Sequence, residues 1–268
     1  MDAEPAGGRS YADAPSAWQR GRSLVREEGL RATVVRLATY PNAPWNRYLW
    51  AAVVRVGRRL SGPSTFEGPD GPLRYGPALG ERTLEVPIAR AFVEERRSSG
   101  PILEVGNVLA HHAPFPHPVV DRYERAEGVE NVDMVAYRPA ERFRSILSVS
   151  TLEHVGFDET PRVPGKFRAA LDHLRTECLA PDGAMLVTVP LGQNPEVDRY
   201  VLDERAPEAE VRIYRRIASP WNRWAPVGPP DWPTAAAVPR YSYVRHRLSY
   251  TAILRFGVRQ GRLGSSSR

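Results

Sequence analysis

The run Pro101-Ile102-Leu103-Glu104-Val105-Gly106-Asn107-Val108 decides how the chain folds. Ile102, Leu103 and Val105 form a short apolar segment of the kind that becomes a parallel strand buried on both faces. Gly106 ends it, where a backbone without a Cβ can turn sharply or approach a ligand closely. Glu104 places a carboxylate near the carboxyl end of that strand, and ligands of open α/β sheets bind beyond this end. A second apolar pair, Val119-Val120, is closed by another acid, Asp121. A strand, a glycine turn and a second strand closed by an acid suit a nucleoside. The glycine admits it, and the acid accepts from its ribose hydroxyls.

Leu103-Glu104-Val105-Gly106 resembles the first motif of the Rossmann-like (class I) S-adenosylmethionine-dependent methyltransferases, and Asp121-Arg122-Tyr123-Glu124 resembles their second. Ser150-Thr151-Leu152-Glu153-His154-Val155 is similar to the segment after their fourth strand. Leu179 to Pro190, with Pro181-Asp182-Gly183 inside it, is similar to their helix–turn–fifth-strand signature. The four motifs stand in the family's order and span roughly the middle half of the chain. The resemblance implies a doubly wound α/β sheet with an N-terminal helical extension over residues 1–80. A methyltransferase-like domain then covers 81–268 and includes an irregular C-terminal cap. It implies S-adenosylmethionine as cofactor, with Glu104 facing the methionine amino group directly or through water, Asp121 the ribose and Asp133 the adenine. Gly106, Asn107 and Ser150 belong to the same implied site. There are departures: Val108 and Ala110 stand where further glycines are expected, and Ser145 where the family usually has an aspartate.

The totals set outer bounds. With 268 residues, 42% of them hydrophobic and 25% charged, the chain suits one soluble α/β domain with extensions. Its formal charge is +6, yet Lys166 is the only lysine, so the basic side chains are arginines spread along the whole length. That is a compositional bias more than a nucleic-acid footprint. Cys178 is the single cysteine and cannot form an internal disulfide; beside Leu171 and Leu174 it reads as a buried, inert thiol. The start, Met1-Asp2-Ala3-Glu4-Pro5, lacks the order of a signal peptide, and no apolar stretch is long enough to span a membrane. A cytoplasmic location follows as the expectation.

Along the chain, residues 1–16 have a disordered composition, and 18–37 fit a helical face loosely. Asn46 caps a second helix, apolar with Arg47, Arg55, Arg58 and Arg59 around it. It either packs on the core or over the site, or meets a partner or a membrane surface. Gly68-Pro69-Asp70-Gly71 is a turn between extended pieces, and Pro87 suits the first turn of a helix ended by Gly100-Pro101. Pro114, Pro116 and Pro118 forbid a regular first crossover helix. Residues 131–135 read as a third strand or its approach, 144–149 as the fourth and 184–189 as the fifth. Between these last two, Phe167, Leu171, Leu174 and Cys178 recur at helical spacing. Residues 214–232 look irregular, Tyr250 to Val258 alternate as a late strand, and 261–268 form a tail.

Methyl transfer asks an enzyme to align donor and acceptor, to exclude water and, for a hydroxyl or amine, to remove a proton. His154 titrates near neutrality and follows the fourth strand, so it is the candidate base, with Glu153 beside it; the structural alternative is that the pair holds the loop. His111, His112 and His117 match no strong zinc spacing, and no metal is assigned. Trp221, Trp224, Tyr241 and Tyr243 among arginines suit a core edge or a small-molecule pocket better than stacked bases. The expected activity is methyl transfer to a small molecule or glycan precursor. The competing expectation is a catalytically degenerate relative that serves in binding or assembly. Oligomeric state has no signal in the sequence.

Overall fold

The computed structural model describes residues 65–76, 80–112, 115–218, 223–240 and 249–257. The two helices expected within residues 1–64, the tail, Trp221, Tyr241 and Tyr243 lie outside the described residues. The described chain opens with a hairpin, β1 (Thr65–Gly68) and β2 (Gly71–Arg74), turning at the expected Gly-Pro-Asp-Gly. Helix α1 (Arg82–Arg96) follows, then strands β3 (Ile102–Val105), β4 (Val119–Val120), β5 (Val129–Glu130) and β6 (Phe143–Val149). Helix α2 (Lys166–His173) runs through a π turn at Leu174–Cys178 into β7 (Leu179–Pro190). The short α3 (Pro195–Asp198) leads to β8 (Glu210–Ala218), β9 (Arg223–Val227) and finally β10 (Tyr250–Phe256).

Eight strands form one sheet in the order β5-β4-β3-β6-β7-β10-β8-β9. The first five in that order are parallel, and β10 is inserted antiparallel between β7 and β8. The order reverses between β3 and β6, which puts the topological switch point, and so the ligand crevice, at their carboxyl ends. This is the doubly wound α/β sheet that the methyltransferase resemblance implies.

Period-two alternation sorts the strands between two apolar layers. Leu103, Val105, Ile146, Met185, Val187, Ala252 and Leu254 join the layer under α2. Ile102, Leu147, Val149, Leu186 and Ile253 face α1 and the hairpin. Both faces are covered, so β3 and β6 are buried at every position but Arg144, with Glu104, Ser145 and Ser148 buried among the apolar side chains. Cys178 is fully buried, and burial pushes its thiol up to about 11.

The structure corrects four boundaries. Helix α1 starts a turn before Pro87. A proline inside a helix frees the carbonyl four residues back, and here Gly76 N–H donates to that carbonyl, Thr83 O, at 2.8 Å. The third strand is Val129–Glu130, and Asp133 instead caps a 3-10 turn at Met134–Ala136, accepting from Val135 N–H at 3.3 Å. The turn at Pro181-Asp182-Gly183 lies within β7, where pairing with β6 jumps from Phe143–Leu179 to Ser145–Ala184. Within the expected irregular C-terminal cap, Glu210–Ala218 and Arg223–Val227 pair as antiparallel strands, with a register shift between Arg216 and Ala218. Arginines at 212, 215 and 216 hide β8 from a hydropathy reading. The first crossover is a single 3-10 turn, Leu109–His111, as its prolines require.

Candidate functional site

The crevice at the switch point is built from four loops. The first is the turn after β3. Gly106 has φ +83°, and a Cβ there would lie 2.0 Å from Thr151 Oγ1, so the loop after β6 closes directly over it. Glu104 is fully buried and turned inward. Its Oε1 accepts from the amides of Val108 and Leu109 at 3.0 and 2.7 Å, and its Oε2 meets His117 Nε2 at 2.8 Å. Glu104 therefore shapes the turn from beneath.

The second loop follows β4. Asp121 Oδ1 accepts from the amides of Tyr123 and Glu124, both at 2.8 Å, while Oδ2 holds only a long contact, 3.4 Å, from Asn107 N–H. Asn107 Nδ2 donates to Glu124 Oε1 at 2.6 Å, and His111 Nε2 reaches the same oxygen at 2.9 Å. Asn131 Nδ2 donates to the carbonyls of Asp121 and Glu124 and staples this loop to the next. With its amide committed to Glu124, Asn107 presents a buried Oδ1 that has no hydrogen-bond partner. Two acceptors, Asn107 Oδ1 and Asp121 Oδ2, thus stand by one turn with little donated to them.

The third and fourth loops complete a cleft with an apolar floor of Val105, Val120, Val132, Met134 and Val155. Asp121, Tyr123, Asp133, Thr151 and His154 line it as well. Asp133 enters a ring of four charges. Arg122 Nη1 lies 2.9 Å from its Oδ2 and 2.7 Å from Glu159 Oε1, and Lys166 Nζ bonds both of the same carboxylates. Burial opposes ionisation of Glu159, but Lys166 and Arg122 outweigh it and hold the carboxyl below its usual range. The chain's only lysine serves this ring. A carboxylate can accept about four hydrogen bonds, so Asp133 keeps acceptor capacity beside its two cations.

No protein-family model matches the chain, and no curated protein matches it. Among solved structures it is similar to the N-methyltransferase NodS from Bradyrhizobium japonicum WM9: 14% identity, 63% of this chain and 94% of the other, TM-score 0.34. It is similar to the 1,6-didemethyltoxoflavin-N1-methyltransferase of Burkholderia thailandensis, solved with S-adenosylhomocysteine: 14% identity, 81% and 92% coverage, TM-score 0.39. It is similar to the glycopeptide N-methyltransferase MtfA, also solved with S-adenosylhomocysteine: 14% identity, 63% and 87% coverage, TM-score 0.29. At these identities and scores the likenesses assign no residue and no substrate.

At the mouth beyond β6, the 3-10 turn Leu152–His154 carries the acid–base candidates. His154 Nδ1 is 2.6 Å from Asp158 Oδ2 and 3.2 Å from Gln193 Nε2; a carboxylate only accepts, so the Asp158 contact favours the proton on Nδ1 and, in the neutral ring, the lone pair on Nε2. Burial works against the charged ring, but the Asp158 hydrogen bond and the Glu153 and Asp158 charges outweigh it and raise the His154 pKa. Glu153 is fully buried, neither of its oxygens has a hydrogen-bond partner among the described residues, and burial raises its pKa to about 8. Asn194 Nδ2 donates to Glu153 O at 2.8 Å and anchors the turn to the start of α3.

Ser150, grouped in the sequence with the cofactor residues, is turned away from the cleft. Its φ is +41°, and its Oγ donates to Glu85 Oε1 at 2.7 Å. Glu85 is the residue that sequence reasoning missed. It sits in the first turn of α1, fully buried, and an acid in an amphipathic helix ordinarily faces water. The three histidines of the first crossover do not converge: His111 meets Glu124 and His117 meets Glu104. No described helix is long and apolar enough to cross a membrane.

Proposed function

We propose that the protein is an S-adenosylmethionine-dependent methyltransferase acting on a small molecule or glycan precursor in the cytoplasm. One observation carries the reading. Asp121, whose Oδ2 holds only one long contact, from Asn107 N–H, lines an apolar cleft, and a nucleoside offers ribose hydroxyl donors beside a flat apolar ring. The residues present fit the nucleoside part of the cofactor. Asp121 and Asn107 would take the ribose, Asp133 the adenine edge, and Val105, Val132 and Met134 the ring faces. When bound, the cofactor supplies a methyl group activated on a sulfonium. The chain's own part is to align the acceptor, to exclude water and, at Nε2 of His154, to receive the proton that a hydroxyl or amine gives up.

A second reading has an observation of its own. The amides of Val108 and Leu109 are already capped by Glu104, and Thr151 covers Gly106, which favours a relative kept for binding or assembly after losing catalysis. Two measurements on the same preparations decide between them. S-adenosylhomocysteine is expected to raise the melting temperature, and His154→Ala is expected to lower turnover by about 10²–10⁴-fold while leaving that thermal shift in place. Unchanged turnover removes His154 as the base. No thermal shift at millimolar ligand removes the methyltransferase reading.

A further inference from the structure

Two side chains from different loops meet one nitrogen of the His154 ring. Asp158 Oδ2 lies 2.6 Å from Nδ1, and Gln193 Nε2 lies 3.2 Å from the same atom. Both are held there by the backbone around them. Asp158 N–H donates to His154 O at 3.0 Å, which keeps the acid over its own turn. Gln193 stands between two anchors of the loop after β7: Gly192 N–H donates to Asp198 Oδ1 at 2.8 Å, and Asn194 Nδ2 to Glu153 O at 2.8 Å.

The two partners ask opposite things of Nδ1. A carboxylate only accepts, so Asp158 needs a proton on that nitrogen. An amide N–H only donates, so Gln193 Nε2 needs a lone pair there. The Asp158 contact is the shorter and has an ionised partner, which makes it roughly twice as strong as a neutral hydrogen bond. Gln193 can yield, because its amide turned over has nearly the same shape and offers Oε1 to the same N–H. The remaining neighbours do not reverse this order. Glu153 Oε1 is 3.6 Å from Nε2, beyond hydrogen-bond reach, and the Arg82 charge opposes a proton on either nitrogen.

We propose that Asp158 is a positioning residue that selects the tautomer of His154 against Gln193 and so keeps the lone pair on Nε2. Without Asp158, the Gln193 amide is the partner left at Nδ1. The proton then moves to Nε2, and the nitrogen that should receive the acceptor's proton is no longer a base. The proposal rests on the methyltransferase reading for the use made of that lone pair. There the acceptor's O–H or N–H bond breaks and its electron pair stays on the acceptor. The proton bonds to Nε2, and the ring becomes an imidazolium with Nδ1–H still on Asp158. The tautomer itself is a property of the ligand-free protein.

The test is nitrogen NMR of the full ligand-free chain carrying labelled histidine, titrated until the His154 ring is neutral. A bare ring nitrogen resonates far from a protonated one, and the signals missing from His154→Ala assign the ring among the six histidines. The wild-type neutral ring is expected to carry its proton on Nδ1. Asp158→Ala changes an exposed side chain and should shift the tautomer ratio roughly 10–100-fold toward Nε2–H, the worth of a hydrogen bond to a charged group. Adding Gln193→Glu to that variant supplies a new acceptor beside Nδ1 and should bring Nδ1–H back. If the double variant does not fold, the wild type and Asp158→Ala decide the matter. A wild-type ring protonated at Nε2, or an Asp158→Ala ring that keeps the proton on Nδ1, overturns the proposal. A failure to bind S-adenosylhomocysteine would defeat the methyltransferase reading and leave the tautomer standing, whereas either of those two spectra would do the reverse.

Discussion

Replacing Glu153 by glutamine is expected to make the protein relatively more stable as pH rises, although it alters a fully buried side chain. Glu153 keeps its proton to about 8 in the folded chain, and an unfolded glutamate releases it near ~4.3. Between those values the folded state binds one more proton than the unfolded state. Wild-type stability from this group is therefore fully present below the lower value and is lost as pH rises toward the upper one. The slope is about 1.4 kcal/mol per pH unit, so the whole window is worth on the order of 5 kcal/mol, of which most falls between pH 5 and pH 8. Glutamine mimics the neutral carboxyl and does not titrate. The difference in unfolding free energy between Glu153→Gln and wild type should swing toward the variant by that order between pH 5 and pH 8, as read by urea denaturation. Parallel stability profiles for the two proteins would show that Glu153 is not held neutral.

The second large effect belongs to Gly106→Ala. The turn after β3 has φ +83° there, a conformation that a side chain disfavours, and the new Cβ would lie 2.0 Å from Thr151 Oγ1 and 2.7 Å from its Cγ2. Thr151 cannot swing aside freely, because it is β-branched and its hydroxyl donates to Val149 O at 3.1 Å. Strain and overlap together should destabilise the fold by about 2–4 kcal/mol. Adding Thr151→Gly should restore the overlap part and leave the backbone part, so the double variant should be more stable than Gly106→Ala alone. Additive losses in chemical denaturation would mean that the two residues do not meet.

How much of this was legible follows from how local each feature is. The β3 turn, the β4 acid and the β7 signature are contiguous in the chain, and their strands stand where the motifs put them. The start of α1 was not legible, because the donor that satisfies Thr83 O comes from Gly76, outside the helix. Strand β8 was hidden by its arginines: Arg216 is buried, yet hydropathy scores it as surface. The candidate site shows the same division. Asp121 and Asn107 follow directly from their motifs. Glu85 meets residues 65 and 103 positions away, and no spacing rule spans such a gap. Ser150 was placed with the cofactor by its neighbours in sequence, but its left-handed backbone turns the hydroxyl toward Glu85. The ring of Arg122, Asp133, Glu159 and Lys166 likewise joins three loops and a helix end that only the folded sheet brings together.

The central claim is that the cleft beside Asp121 takes the nucleoside of S-adenosylmethionine. Calorimetric titration of the wild type and of Asp121→Ala with S-adenosylmethionine and S-adenosylhomocysteine tests it most directly. The account predicts micromolar binding of both ligands to the wild type, weakened in the variant by roughly 1.5–3 kcal/mol, as for a lost hydrogen bond to a charged group. No heat of binding at millimolar ligand, or equal affinity in wild type and Asp121→Ala, would contradict it.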